Sequence, residues 1–265
     1  MICRSRPGWV AEKIFNQAKM LVRYADNLNF DIETNGERRV LECLAVVHPK
    51  CVFDVGANEG EWALLTRMLH PDCNVHCFEI VPSTSEILKR NISGDPHIVA
   101  NAVGLSDEPG TLTISVSSTS STTATANPIQ GMKFHEGYYD QHHECEVTTG
   151  AAYVRENDIG RIDFLKIDVE GMDLRVLKGF GAHLERVRAV QFEYGIFNIS
   201  SRDLLVDFFR LLTSHGFIVG KIYPRHVDFF DYTFNREDFG GHNYVAVKST
   251  ETALISALRG KARQG

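Results

Sequence analysis

The chain has 265 residues, 43% of them hydrophobic and 23% charged, enough to bury one large α/β core without disulfide staples. A formal net charge of −6 leaves no electrostatic footprint for nucleic acid and makes small neutral substrates the natural expectation. Six cysteines without a CxxC pair read as free thiols of a reducing compartment, and neither a membrane-length apolar run nor a signal-peptide core is present, so a cytoplasmic protein with no transmembrane segment is expected.

The first 30 residues open on Arg4, Arg6 and Pro7 and continue as a helix carrying Trp9, Ile14, Phe15, Leu21, Val22 and Tyr24 with Lys13, Lys19 and Arg23 interspersed. A basic amphipathic helix of this kind can touch a membrane surface or a partner, but packing across its own domain is the simpler expectation. Thr34-Asn-Gly-Glu37 reads as a capping box for a second helix reaching Val47, and Pro49 closes this N-terminal helical extension over residues 1–49.

Residues 50–249 then read as the principal domain. Cys51 to Val55 is apolar and β-favouring, as suits a strand buried on both faces of a parallel sheet. Gly56-Ala-Asn-Glu-Gly60 follows, and Glu61 to Leu69 has helical spacing at Trp62, Leu65 and Leu69, stopped by Pro71. Strand, glycine turn and helix form the nucleoside corner of a doubly wound fold. A dinucleotide would require Gly-x-Gly-x-x-Gly for its diphosphate. Here that glycine order is missing, and Glu59 and Glu61 would repel a phosphate. A ligand that has no phosphate and carries an ammonium and a sulfonium, such as S-adenosylmethionine, is compatible with them.

Asn74 to Ile80 is a second strand bearing Glu79, where such folds place an acid to accept ribose hydroxyls. Ser83-Thr-Ser-Glu86 reads as a capping box for the next helix, and His97 to Val103 as a third strand with Asn101 and Ala102 at its carboxyl end, beside the adenine. Cys73, His76 and Cys77 are close in sequence, but strand alternation separates them and argues against a metal site. Thr111 to Val116 alternates as an edge strand or hairpin. Residues 118–146, rich in Ser and Thr and then in aromatics and histidines, read as one mobile substrate loop, and residues 224–241 as a second.

Arg161 to Gly171 reads as the fourth strand, with alternation setting Lys166, Asp168 and Glu170 on one face. Three ionisable groups on a central strand require a polar cavity at its carboxyl end. Arg188 to Tyr194 is a fifth strand with Glu193 near the same edge, Ser200 or Ser201 caps a helix running to Leu212, and Phe217–Tyr223 with Asn243–Lys248 complete the sheet, the last strand antiparallel. Residues 250–265 read as a tail.

Taken together, Val52-Phe-Asp-Val-Gly-Ala-Asn-Glu-Gly60, the strand ending in Glu79, Asn101-Ala-Val-Gly-Leu-Ser-Asp107 and above all Phe164-Leu-Lys-Ile-Asp-Val-Glu-Gly171 resemble the FkbM family of S-adenosylmethionine-dependent methyltransferases over roughly residues 50 to 195. The resemblance implies a doubly wound, Rossmann-like α/β sheet of seven strands and O-methylation of a sugar, glycolipid or polyketide-type acceptor. It implies that Asp54, Gly56, Asn58 and Gly60 form the methionine-side loop, that Glu79, followed by Ile80, is the ribose acid, and that Asp168 stands near the transferred methyl. Two positions depart from the family pattern. Thr149-Gly-Ala-Ala152 stands where a Leu-Asp pair is usual, and Asp173 where Glu is usual.

An aliphatic hydroxyl of pKa near ~15 needs a base or a metal to help it attack. Asp168, Glu170 and Glu193 are candidates, with His142, His143, His226 or His242 arriving from loops, and His143 completes the candidate catalytic set. Asp168 and Glu193 either act directly or hold a divalent cation, for which hard oxygen ligands favour Mg²⁺. The competing readings are an NAD-dependent oxidoreductase, which needs the missing glycines, and a methyltransferase acting on protein or nucleic acid. A small-molecule or glycan acceptor is the expected partner. Homo-oligomerisation is left open.

Overall fold

A computed structural model describes residues 8–118, 120–129 and 138–260. In chain order it contains α1 (Trp9–Ala25), α2 (Glu37–Cys43), β1 (Cys51–Val55), α3 (Glu61–Leu69), β2 (Asn74–Phe78), α4 (Pro82–Ile92), β3 (Ile98–Asn101), β4 (Gly104–Ser106), β5 (Gly110–Ser117), β6 (Ser120–Thr125), β7 (Gln141–Thr149) and α5 (Gly150–Glu156). The second half adds β8 (Phe164–Ile167), α6 (Asp173–Phe180), β9 (Ala189–Tyr194), α7 (Phe197–Ser201), α8 (Leu205–Ser214), β10 (Phe217–Tyr223), β11 (His226–Phe229), β12 (His242–Lys248) and α9 (Thr252–Arg259).

The main sheet runs β11-β10-β12-β9-β8-β1-β2-β3. β1 pairs in parallel with both β2 and β8, while β12 is antiparallel to β9 and β10. This is the expected doubly wound, mostly parallel sheet with an antiparallel strand, enlarged to eight strands because β11 folds back on β10 out of the segment read as a loop. The order reverses between β1 and β8, which opens a crevice at their carboxyl ends where such folds bind ligands. Phe53, Phe78, Phe180 and Phe192 fill one face of the sheet, and Val52, Trp62, Phe164 and Val245 the other.

The largest correction concerns residues 118–146. Instead of one mobile loop, the described part forms β6 and β7, which join β4 and β5 in a second sheet ordered β4-β7-β5-β6. β7 pairs with β5 from Gly110↔Val147 to Val116↔Gln141, so His142 and His143 sit in a strand. The Ser and Thr content is compatible with this because threonine is β-branched and suits a pleated surface. Residues 130–137 of that segment lie outside the described residues, as do Arg4, Arg6, Pro7 and Cys3.

Three helix starts also differ. The backbone N–H of Glu37 donates to Asn35 Oδ1 (2.9 Å), and the Glu37 side chain turns inward instead of capping. α4 begins one residue earlier than its serines, on Pro82, whose fixed φ suits the first helical turn. Ser200 and Ser201 end α7, and α8 starts at Leu205, with Asp207 Oδ2 accepting the Leu204 N–H at 3.1 Å. α9 occupies much of the expected tail and buries Leu254, Ile255 and Leu258 in the same core as Val40, Leu41 and Leu44 of the N-terminal region. Among the described residues the cysteines are free, and no helix is long and apolar enough to cross a membrane.

Candidate active site

A cavity of about 1160 Å³ opens at the carboxyl ends of β1, β2, β8 and β9. Its floor is a buried charge cluster. Lys166, on β8, places Nζ 3.3 Å from Asp54 Oδ1 and 3.4 Å from Asp168 Oδ2. Burial works against the lysine's charge, but Asp54, Asp168 and Glu37 more than offset it and hold the ammonium above the ordinary lysine range. Burial raises the Asp54 carboxyl, and Lys166 draws it back down. Asp54 therefore lies beneath the cavity, as the partner of Lys166, and is not part of its lining.

The glycine loop is shaped by close backbone approach. Gly56 has φ +81°, its N–H donates to Phe78 O at 2.9 Å, and a Cβ there would stand 1.9 Å from the Asp168 carbonyl oxygen. Only glycine fits a positive φ against another backbone. Gly56→Ala is accordingly expected to cost about 3 kcal/mol in urea unfolding. Gly60 (φ +92°) meets Leu88 and Ile92 of α4 and, like Asp54, is outside the lining.

Asn58, also at positive φ, donates its backbone N–H to Glu79 Oε2 at 2.9 Å, and Val81 donates to Glu79 Oε1 at 2.8 Å. Burial raises the Glu79 carboxyl, while these two amides favour its ionised form. Glu79 and Ile80 both line the cavity. Asn101 and Ala102 do not: the Asn101 amide turns back to donate to Cys77 O at 2.9 Å, and Ala102 is exposed. Gly104 and Leu105, just beyond them, line the wall instead.

At the other end, Asp168, Glu170 and Glu193 can each bring a carboxylate oxygen within 4.8 Å of the others. They do not converge by the alternation of one long strand. β8 ends at Ile167, and the chain turns through Glu170 (φ +50°) and Gly171 (φ +90°). Thr125 Oγ1, from β6, donates to the Glu170 carbonyl at 2.8 Å and ties the second sheet to this turn. Burial, then Glu193 and Asp168, lifts Glu170 well above the usual carboxylate range, and burial with Asp168 and Asp173 does the same for Glu193. Asp173, fully buried and accepting the Glu193 N–H at 3.2 Å, is pushed up to about 7, chiefly by burial. Such a cluster must hold protons or accept a cation.

His143 is not in this group. It lies on β7 opposite Ile114, outside the cavity lining, as do His142, which meets Ser115 Oγ at 3.2 Å, and His226. His242 is buried against Asp26 (3.1 Å) and Asp238 (3.4 Å). The lining also contains residues the sequence did not single out. Glu37 accepts from Asn35 (2.7 Å) and Gln191 (2.6 Å), and Ile114, Ala124 and Val147 bring the second sheet to the wall. No local signal flags Glu37, because Thr34-Asn-Gly-Glu37 reads as a helix cap.

Comparison with known proteins gives the family. The family profile described as Methyltransferase FkbM domain matches residues 54–219. Methyltransferase sdnD of Sordaria araneosa is 29% identical over 168 residues, covering 54% of this chain and 65% of that protein. The 31-O-demethyl-FK506 methyltransferase FkbM of Streptomyces tacrolimicus is 29% identical over 194 residues, 63% of this chain and 72% of that one. The hexuronic acid methyltransferase AglP of Haloferax volcanii is 25% identical over 188 residues, with coverages of 70% and 73%. The chain thus spans just under two thirds of the first of these relatives.

Proposed function

We propose, from the premise that this chain belongs to the FkbM methyltransferase family, that it moves the methyl group of S-adenosylmethionine to a hydroxyl of a sugar, glycolipid or polyketide-type acceptor. The observation that carries this reading is one cavity with an amide-anchored acid, Glu79, at one end and the trio Asp168, Glu170 and Glu193 at the other. The relatives named for FK506 and hexuronic acid methylation support the acceptor class.

The cofactor, when bound, supplies an electrophilic methyl on a sulfonium. The chain's contribution is position and proton handling. In this reading Glu79, already held by the Asn58 and Val81 amides, accepts ribose hydroxyls, with the cavity-lining Gly56 and Asn58 beside it and Asp54 and Gly60 behind the loop. Lys166 keeps Asp168 oriented. As the acceptor oxygen attacks, its proton passes to a carboxylate oxygen of the trio, for which we assign Glu193 in its ionised form, with Asp168 orienting the hydroxyl. Three crowded carboxylates also fit a second arrangement, in which Asp168 and Glu193 would hold Mg²⁺, whose charge would lower the pKa of the hydroxyl.

Initial rates of S-adenosylhomocysteine formation, measured with a panel of sugar and polyketide alcohols, test the reading. Turnover with at least one hydroxylated acceptor is expected. Turnover confined to amine, peptide or RNA acceptors would sink it. A rate abolished by EDTA and restored by Mg²⁺ selects the cation arrangement, and an unchanged rate selects the proton arrangement.

A further inference from the structure

The N-terminal helix was expected to pack on its own domain, yet every described side chain of α1 is exposed. Ile14 is 61% exposed, Phe15 58%, Leu21 70% and Val22 64%. Ala11, Ile14, Ala18, Leu21 and Ala25 recur at alternating spacings of three and four, which sets them on one stripe with Phe15 and Val22 beside it. The charged residues of the helix, Glu12, Lys13, Lys19 and Arg23, lie off that stripe. A helix of 17 residues with no packed face is marginal in water, so its apolar stripe calls for another surface.

Charge identifies that surface. α1 carries three cations against one anion on a chain of net charge −6, so the helix with the bare apolar face is locally basic on an acidic chain. A second copy of the helix would bring like charge to like charge, and the residues flanking the stripe, Phe15, Gln17, Val22 and Tyr24, offer no opposite charges to set a register. An anionic lipid surface satisfies both faces at once: the stripe enters the headgroup–acyl boundary while Lys13, Lys19 and Arg23 meet phosphates. Lys19 Nζ stands over the Phe15 ring, 4.5 Å from its centroid, so a cation sits at the edge of the apolar side.

Among the described residues the helix is anchored where it ends. Asp26 Oδ1 accepts from the buried Lys221 Nζ at 2.5 Å, Asp26 Oδ2 lies 3.1 Å from His242 Nε2, and Asn27 Nδ2 donates to Ile222 O at 3.1 Å. From this anchor the chain passes directly to Phe30 and Ile32, which line the cavity with Leu64 and Ile196, so partly exposed apolar residues continue from α1 to the cavity rim. We infer that α1 is a membrane-surface anchor, lying in the headgroup region of an anionic bilayer. This inference does not rest on the methyl-transfer reading.

Sedimentation of the full chain with vesicles tests it. Vesicles of phosphatidylcholine with about 30 mol % phosphatidylglycerol are expected to bind at least about tenfold more protein than pure phosphatidylcholine, and about 0.5 M salt to weaken the binding. Ile14→Glu with Leu21→Glu should lower binding at least about tenfold by removing the stripe. Lys13→Glu with Lys19→Glu should abolish the preference for anionic lipid. S-adenosylhomocysteine affinity, read on the same samples, should not change in either variant, which separates the anchor from the active site. Absence of binding to anionic vesicles overturns the proposal. So does binding that Ile14→Glu with Leu21→Glu leaves intact. A wild-type dimer that ignores vesicles and falls to monomer in that variant by light scattering would assign α1 to a subunit contact instead.

Discussion

Glu79→Ala is expected to lower affinity for S-adenosylhomocysteine by at least about 100-fold in calorimetric titration, with no NAD⁺ signal from either protein. Each hydrogen bond to a charged carboxylate contributes about 1.5–3 kcal/mol, and about 1.4 kcal/mol corresponds to tenfold, so losing two ribose contacts accounts for a drop of that size. A second effect adds to it. Glu79 accepts the Asn58 and Val81 N–H groups, so its removal leaves two amides at the cavity wall without their acceptor and frees the glycine loop. Glu79→Gln keeps one acceptor oxygen and should fall between the two. Burial raises this carboxyl, and ribose donors favour its ionised form, so wild-type affinity should weaken as pH falls toward the folded-state pKa. Affinity unchanged within about twofold in Glu79→Ala would remove the acid from the cofactor site.

What could be read from residues alone was what local pattern determines. β1 and α3 coincide with the apolar run Cys51–Val55 and the helical spacing Glu61–Leu69, because buried strand, glycine turn and helix are each specified within a few residues. The convergence of Asp168 and Glu193 on one sheet edge followed from strand ends, which fix which acids face the crevice. Of the second sheet only β5 was legible, as the alternating run Thr111–Val116; β7 finds β5 only across a long intervening segment whose serines and threonines carry no strong period. Glu37 was missed for the same reason: its partner Gln191 is 154 positions away, so a residue that reads locally as a cap is claimed by a distant amide. Glu170 joins the trio through a left-handed turn that alternation does not anticipate. The exposure of α1 was beyond reach, since amphipathic spacing states that a face will be covered without stating by what.

Glu193→Gln is expected to lower kcat about 1,000-fold while leaving affinity for S-adenosylhomocysteine nearly unchanged, and at the same time to make the ligand-free protein more stable at pH 8. The loss follows from removing the assigned proton acceptor, an effect usually of 100- to 10,000-fold, roughly. The gain follows from the crowding of Asp168, Glu170, Asp173 and Glu193. Glu170, Asp173 and Glu193 are raised by burial first and by their neighbours second, so the folded chain holds protons that the unfolded chain has already released. Stability contributed this way is fully present below the unfolded carboxyl range and is lost as pH rises through the folded values, which for Asp173 means up to about 7. The wild-type melting temperature should therefore fall between pH 6 and pH 8, and Glu193→Gln should flatten that slope and lift the pH 8 value by about 4 °C. Thermal melts at the two pH values, beside single-turnover rates, read both effects on one preparation. If the variant melts lower than wild type at pH 8, the carboxylates are not repelling one another, and a bound cation or a tighter hydrogen-bond network must be holding them. If it melts higher but keeps near-normal turnover, the crowding is real and Glu193 is not the base, and the assignment passes to Asp168 or Glu170.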